Sequence, residues 1–133
     1  MKLIELLRQV RELGLPIDEF AVFGSGPMAA AGLRKVNDID LIVSVHLWDR
    51  LAEELPTTDL EDEGQKIRIR GVEIYNTWYP EVGDLDILIK KADVVEGVRF
   101  VKLQKVLEWK QKYGREKDAH DIAAIEGFLR QGR

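Results

Sequence analysis

The chain contains no cysteine, which removes disulfides, thiolate zinc sites, iron–sulfur ligation and cysteine nucleophiles from consideration. Its two histidines, His46 and His120, stand far apart in sequence, without the close spacing of a helical ligand pair, so a histidine metal centre is not expected. No apolar run approaches the roughly 20 residues of a membrane span, and Met1-Lys2 leads into an amphipathic pattern rather than the apolar core of a signal peptide. The expectation is a cytoplasmic protein with no membrane association. A formal charge of −4 speaks against broad, sequence-independent nucleic-acid binding, which needs a basic face to displace counterions. Basic residues nevertheless cluster in "IKKA" near position 90 and in "KLQKVLEWKQKYGREK" over 102–117.

What is present is the material of a folded domain. With 133 residues, 45% hydrophobic and 33% charged, the chain reads as one globular domain over 1–133. The opening "KLIELLRQVRELG" places Leu3, Ile4, Leu6, Leu7, Val10 and Leu13 on one helical face, ended by Gly14 and Pro16. "EFAVFG" is a buried strand feeding a turn, and Pro27 starts a helix running to Arg34. "IDLIVSV" is a second buried strand, and "HLWDRLAEEL" a helix that ends before Pro56. "TTDLEDEG" reads as an acidic surface loop, and "QKIRIRGVEIYNTW" as two short strands or one bulged strand. Asp84 can cap a helix whose inner face is Leu85, Leu88, Ile89 and Ala92. "GVRFV" is a short edge strand or linker, followed by a C-terminal helical pair over 102–130 with Ile122, Ile125 and Leu129 inward. The fold class is α/β (α+β), a small mixed sheet of about four to five strands with helices packed on it.

Chemistry concentrates in "FAVFGSGPMAAAGLRKVNDIDLIVS", residues 20–44. Residues two apart on a strand share a face, so Asp38 and Asp40 project together while Ile39 and Leu41 enter the core. Two close carboxylates repel, and a shared divalent cation relieves the repulsion; an all-oxygen donor set suits Mg2+ or Mn2+. Upstream, Gly24-Ser25-Gly26-Pro27 joins a strand to a helix, where free N–H groups can face an anion. The turn lacks the spacing of a P-loop or a dinucleotide fingerprint. Ser25 has no evident histidine partner and no nucleophile elbow around it.

These two motifs together resemble the nucleotidyltransferase superfamily, the DNA polymerase beta-like fold: an apolar residue, Gly, Gly or Ser, a gap, then Asp-apolar-Asp-apolar. Here Phe23-Gly24-Ser25, twelve intervening residues and Asp38-Ile39-Asp40-Leu41 carry the pattern. The resemblance implies a third carboxylate on a neighbouring strand. Glu73, between inward Val72 and Ile74, is the choice, with Asp84 and Asp86 as alternatives; a Glu departs from the Asp many members use. "LEWKQKYGREKDAHDIAAIEGFL" is similar to the ending of small single-domain members related to abortive-infection type toxins, which points to Lys110 as a contact for the triphosphate. Arg115, Lys117, Asp118 and Asp121 can equally be caps and ion pairs between helices.

The resemblance implies transfer of a nucleoside monophosphate from a nucleoside triphosphate to an acceptor hydroxyl, with Asp38, Asp40 and Glu73 holding Mg2+ or Mn2+ and Gly24, Ser25 and Lys110 binding the nucleotide. The acceptor, whether RNA, protein or small molecule, is left open. The competing expectation is a non-catalytic nucleotide-binding or toxin–antitoxin component acting through a small protein partner, or as a homo-oligomer. Trp48, Trp78, Trp109, Tyr75 and Tyr79 could stack a base, with "NTWYP" the best placed, but packing is the favoured reading.

Overall fold

The structure is a computed structural model that describes residues 1–61, 64–78 and 83–131. Its strands follow from where apolar residues alternate or run together. Phe20–Phe23 (β1) and Ile39–Val43 (β2) are almost wholly apolar and buried, as strands covered on both faces must be. Thr58–Asp59 (β3), Gln65–Ile69 (β4), Val72–Tyr75 (β5), Asp93–Val95 (β6) and Val98–Phe100 (β7) complete one sheet in the order β3-β4-β5-β2-β1-β7-β6. β1 runs antiparallel to β2 but parallel to β7, and β2 runs parallel to β5.

Six α-helices accompany the sheet among the described residues: Leu3–Glu12 (α1), Gly26–Ala30 (α2), Val45–Glu54 (α3), Leu85–Lys90 (α4), Leu103–Tyr113 (α5) and Ala119–Arg130 (α6). On one face, Val22, Leu41, Ile67 and Ile74 pack with Leu6, Leu7 and Val10 of α1 and Leu47 and Trp48 of α3. On the other, Ala21, Phe23 and Ile42 pack with Leu88 and Ile89 of α4, Val106 and Leu107 of α5 and Ile125 of α6. The period of two along each strand thus sorts side chains into two cores. Among the described residues, no helix is long and apolar enough to cross a membrane.

The mixed α and β architecture matches the sequence reading, but the sheet has seven strands rather than four or five. The additions are short and contain no buried residue: β3 lies inside the expected acidic loop, with both residues exposed, and β6 pairs with β7. Because β6 takes the rim, β7 is an inner strand and not the expected edge. The proline-led helix is also shorter than the stretch to Arg34. It closes at Ala30, where Gly32 (φ +77) takes the left-handed conformation and the N–H groups of Gly32 and Leu33 donate to the carbonyls of Ala29 and Met28 at 3.0 and 2.9 Å. Ile4 leaves the predicted buried face of α1 and is 72% exposed, whereas Leu6, Leu7 and Val10 are buried. Asp84 caps α4 as expected, accepting from the N–H groups of Asp86 and Ile87 at 2.9 and 3.3 Å.

Two hairpins close with two-residue turns, Arg70-Gly71 (φ +51, +84) and Glu96-Gly97 (φ +48, +81). Positive φ at both positions defines the turn type that matches strand twist, in which asparagine is favoured at the first position. Arg70→Asn and Glu96→Asn should therefore each raise stability by about 0.5–1 kcal/mol. Urea unfolding should show a higher midpoint at unchanged slope; an unchanged or lower midpoint would refute the turn argument.

Candidate functional site

The first polar features of the central sheet meet at one of its ends. β1 stops at Phe23, which pairs with Asp40, and Asp40 pairs across the parallel β2–β5 ladder with Glu73. The register therefore brings two of the predicted acids side by side on neighbouring strands. Asp38 lies in the exposed bend just before β2. Beside them the chain turns at Gly24 (φ +66), where a Cβ would stand 2.5 Å from Asp40 Oδ2. Only glycine gives that carboxylate room, and only glycine adopts this φ without cost.

Ser25 ties the turn to the second strand. Its Oγ accepts from the Asn37 N–H at 3.0 Å and donates to the Asp38 carbonyl at 3.5 Å. The hydroxyl thus fixes the spacing between the glycine turn and the aspartates. These residues line a cleft of about 670 Å³ containing Gly24, Ser25, Asp38 and Asp40 on one side. Glu73 sits one strand behind Asp40, outside the cleft's lining.

The opposite wall is cationic. Lys110 is the contact that the resemblance points to; Arg34, Lys35, Arg115 and Lys117 join it as charged side chains in the lining, which also includes the His120 ring. Lys110 is 7% exposed and its Nζ lies 3.3 Å from both Asp118 Oδ1 and Asp121 Oδ2. Arg34 reaches Asp121 Oδ2 at 2.7 Å, and Arg115 Nε lies 3.3 Å from Asp118 Oδ2. Asp118 and Asp121 are thus the ion-pair residues that the structural reading of this segment anticipates. Burial pushes the Asp118 carboxyl up, but the Arg115 backbone N–H and the Lys110 ammonium outweigh it and hold the group below its ordinary value. Arg34 escapes sequence reading because its partner Asp121 lies 87 positions along the chain, although "LRKVND" does place two cations just before the aspartates.

Electrostatics on the acidic wall run the other way. Burial, then the charges of Asp38 and Glu73, push Asp40 up to about 6, and Lys66 partly opposes them. Asp84 and Asp86, the alternatives to Glu73, line a separate cavity of about 430 Å³ with Trp48 and Asn76. His46 is exposed on α3, away from the cleft.

The aromatic residues pack. Phe23 stacks on Trp78 at 4.6 Å between ring centroids and meets Trp109 edge-on at 5.4 Å, while Tyr75 meets Trp78 edge-on at 5.2 Å. Trp48 is 7% exposed in the first core. Tyr79 lies outside the described residues.

Asp38, Asp40 and Glu73 offer oxygen donors only, and Glu73 Oε2 is buried without a hydrogen-bond partner. An orphaned carboxylate oxygen next to a second, repelled carboxylate fits a hard divalent cation such as Mg2+ or Mn2+. Among the described residues, no three acidic or histidine side chains close to ligand spacing, so the acids form a wall and not a closed shell. No protein-family profile, curated protein or solved structure matches the chain.

Proposed function

We propose that the chain is a metal-dependent nucleotidyltransferase of the DNA polymerase beta-like fold, which moves a nucleoside monophosphate from a nucleoside triphosphate to an acceptor hydroxyl. The observation that carries this reading is the register pairing Asp40 with Glu73 beside the Gly24 turn, opposite a cationic wall. In the reaction the acceptor oxygen forms a bond to the α-phosphorus as the bond to the bridging oxygen of pyrophosphate breaks. Mg2+ or Mn2+ held by Asp38, Asp40 and Glu73 would acidify the acceptor hydroxyl and neutralise charge on the triphosphate.

The remaining tasks belong to the chain. Gly24 leaves the space into which the Asp40 carboxylate projects, and Ser25 holds the turn in register with Asp38. Exposed Lys35 and Lys117 at the rim attract a polyanion, which the net charge of −4 would otherwise repel. Lys110 supplies a point charge deeper in the same wall, held in place by Asp118 and Asp121.

Calorimetric titration of each triphosphate, with and without Mg2+, tests the reading. Binding should appear with Mg2+ and be weak or absent without it. It should also tighten as pH rises from about 5 to 7.5, because a cation must displace the proton that Asp40 holds up to about pH 6. Absence of Mg2+-dependent binding to every triphosphate would reduce the site to structure. The engagement of Lys110 by two carboxylates favours a second reading, a nucleotide-binding or toxin–antitoxin component acting through a partner protein. Turnover by the purified chain alone would exclude it.

A further inference from the structure

Glu73 is met by a cation from its own sheet. In the β4–β5 ladder Arg68 stands directly opposite Glu73 and Lys66 opposite Tyr75. Arg68 is exposed, yet the diagonal neighbour Lys66 reaches across, placing Nζ 3.2 Å from Glu73 Oε1. Diagonal positions on one face of an antiparallel pair lie within reach of a long side chain. The two side chains are 30% and 18% exposed, so the pair is partly shielded from water and its attraction exceeds that of a surface ion pair. The other carboxylate oxygen, Oε2, is buried and unpartnered. Charge at Glu73 is therefore balanced while its coordination is incomplete.

Lysine suits this place better than arginine for a reversible contact. Its ammonium is a point charge on a flexible stem, with no planar fork to lock onto both oxygens. It can swing toward solvent while its methylenes keep their packing.

We propose that Lys66 is a positioning residue that serves as the internal counter-ion of the acidic wall: its ammonium holds Glu73 when no divalent cation is bound and yields Oε1 when one binds. The proposal rests on the reading of Asp38, Asp40 and Glu73 as cation ligands. Lys66 and the cation compete for the same negative charge, so Lys66 sets the concentration at which the wall loads and offsets part of the repulsion between Glu73 and Asp40 in the empty protein.

The test uses Mn2+ alone, measured by calorimetry and by the electron paramagnetic resonance signal of free Mn2+, on the full chain at pH 7.5. Lys66→Met should bind Mn2+ roughly tenfold tighter than the wild type, the scale expected for removing one positive charge a few ångströms from a partly shielded site. Lys66→Arg should bind no tighter than the wild type, and Lys66→Met with Glu73→Gln should lose the gain. In chelator, Lys66→Met should melt below the wild type, and saturating Mn2+ should raise its Tm by more than it raises the wild type's. Lys66→Gln gives the same comparison should the methionine variant fold poorly. Mn2+ binding that is equal or weaker in both Lys66→Met and Lys66→Gln, with intact wild-type binding, would overturn the counter-ion proposal and leave the ligand reading standing. Absence of Mn2+ binding in wild type and variants alike would overturn the ligand reading, and this proposal with it.

Discussion

Replacing Asp38 and Asp40 together by asparagine should cut the proposed nucleotidyl transfer by orders of magnitude and, in the same protein, increase resistance to unfolding. The two outcomes share a cause. Asp40 is pushed up to about 6 by burial first and by Asp38 and Glu73 second, so the folded chain holds a proton there more tightly than the unfolded chain, whose carboxyl has its ordinary value near 3.8. Between those values the native state binds more protons, and stability must fall as pH rises; above about pH 6 the whole penalty is present. Asparagine resembles the neutral carboxyl and escapes that penalty. The gain should be about 1–3 kcal/mol at pH 8 and shrink toward zero near pH 4. It should be measured by urea unfolding in chelator, because a bound cation would offset the repulsion in the wild type.

Transfer should drop by roughly 10³-fold or more, the scale on which loss of transition-state charge stabilisation is felt. Alpha-labelled triphosphates, Mg2+ or Mn2+, and a panel of RNA, protein and small-molecule acceptors provide the assay. Label transfer that survives both substitutions would sink the assignment. A double variant less stable than the wild type at pH 8 would show that the acids are structural partners and not repelled neighbours.

Lys110→Met carries the second large expectation, a loss of about 2–4 kcal/mol. Lys110 is the shared partner of Asp118 and Asp121, all three buried, and removing the cation from such a group leaves carboxylates without full compensation. Arg34 and Arg115 still contact one carboxylate each, which keeps the loss below that of an isolated buried charge. The melting temperature should fall by about 10 °C. Adding Asp118→Asn and Asp121→Asn should recover part of the loss, since the charges left unpaired are then gone. A single variant within about 0.5 kcal/mol of the wild type would mean that the network contributes little, as exposed ion pairs often do. The depressed Asp118 carboxyl adds a direction: its contribution is present above the ordinary carboxylate range and is lost as pH falls through its lowered value.

Much of the fold is legible where residues act on near neighbours. Continuous apolar runs reveal β1 and β2, and the Asp84 cap announces α4 because the cap and its N–H partners lie within three residues. The strands β3 and β6 escape because their pairing is supplied by the adjacent strand and not by their own pattern: Thr58 and Asp59 are both exposed, and Asp93–Val95 shows no buried position. The alanine run after Pro27 favours helix, yet Gly32 ends it early through contacts that propensity alone does not weigh. Ile4 shows the limit of counting apolar positions, since Leu6, Leu7 and Val10, with Leu3 and Leu13 packed at their margin, fill the groove without it.

The candidate site divides in the same way. Gly24, Ser25, Asp38 and Asp40 belong to one short stretch and can be found from spacing. Glu73 is chosen as the third carboxylate that the resemblance implies, alternation setting only its face, and its place beside Asp40 depends on β2 and β5 becoming neighbours. Lys66 is visible only once β4 folds back on β5, and the Arg34 pair with Asp121 spans 87 positions. No local rule reaches that far.

That long separation has a kinetic meaning. The acidic wall joins Asp40 to Glu73, 33 positions apart (73 − 40), whereas the cationic wall closes only when α5 and α6 dock against the segment after α2, across the 87 positions from Arg34 to Asp121. Contacts between distant positions bring a larger loop-closure entropy before they return any stabilisation. The cleft should therefore be completed late on the folding route, and weakening its ionic clasp should quicken unfolding while leaving the rate of folding nearly unchanged.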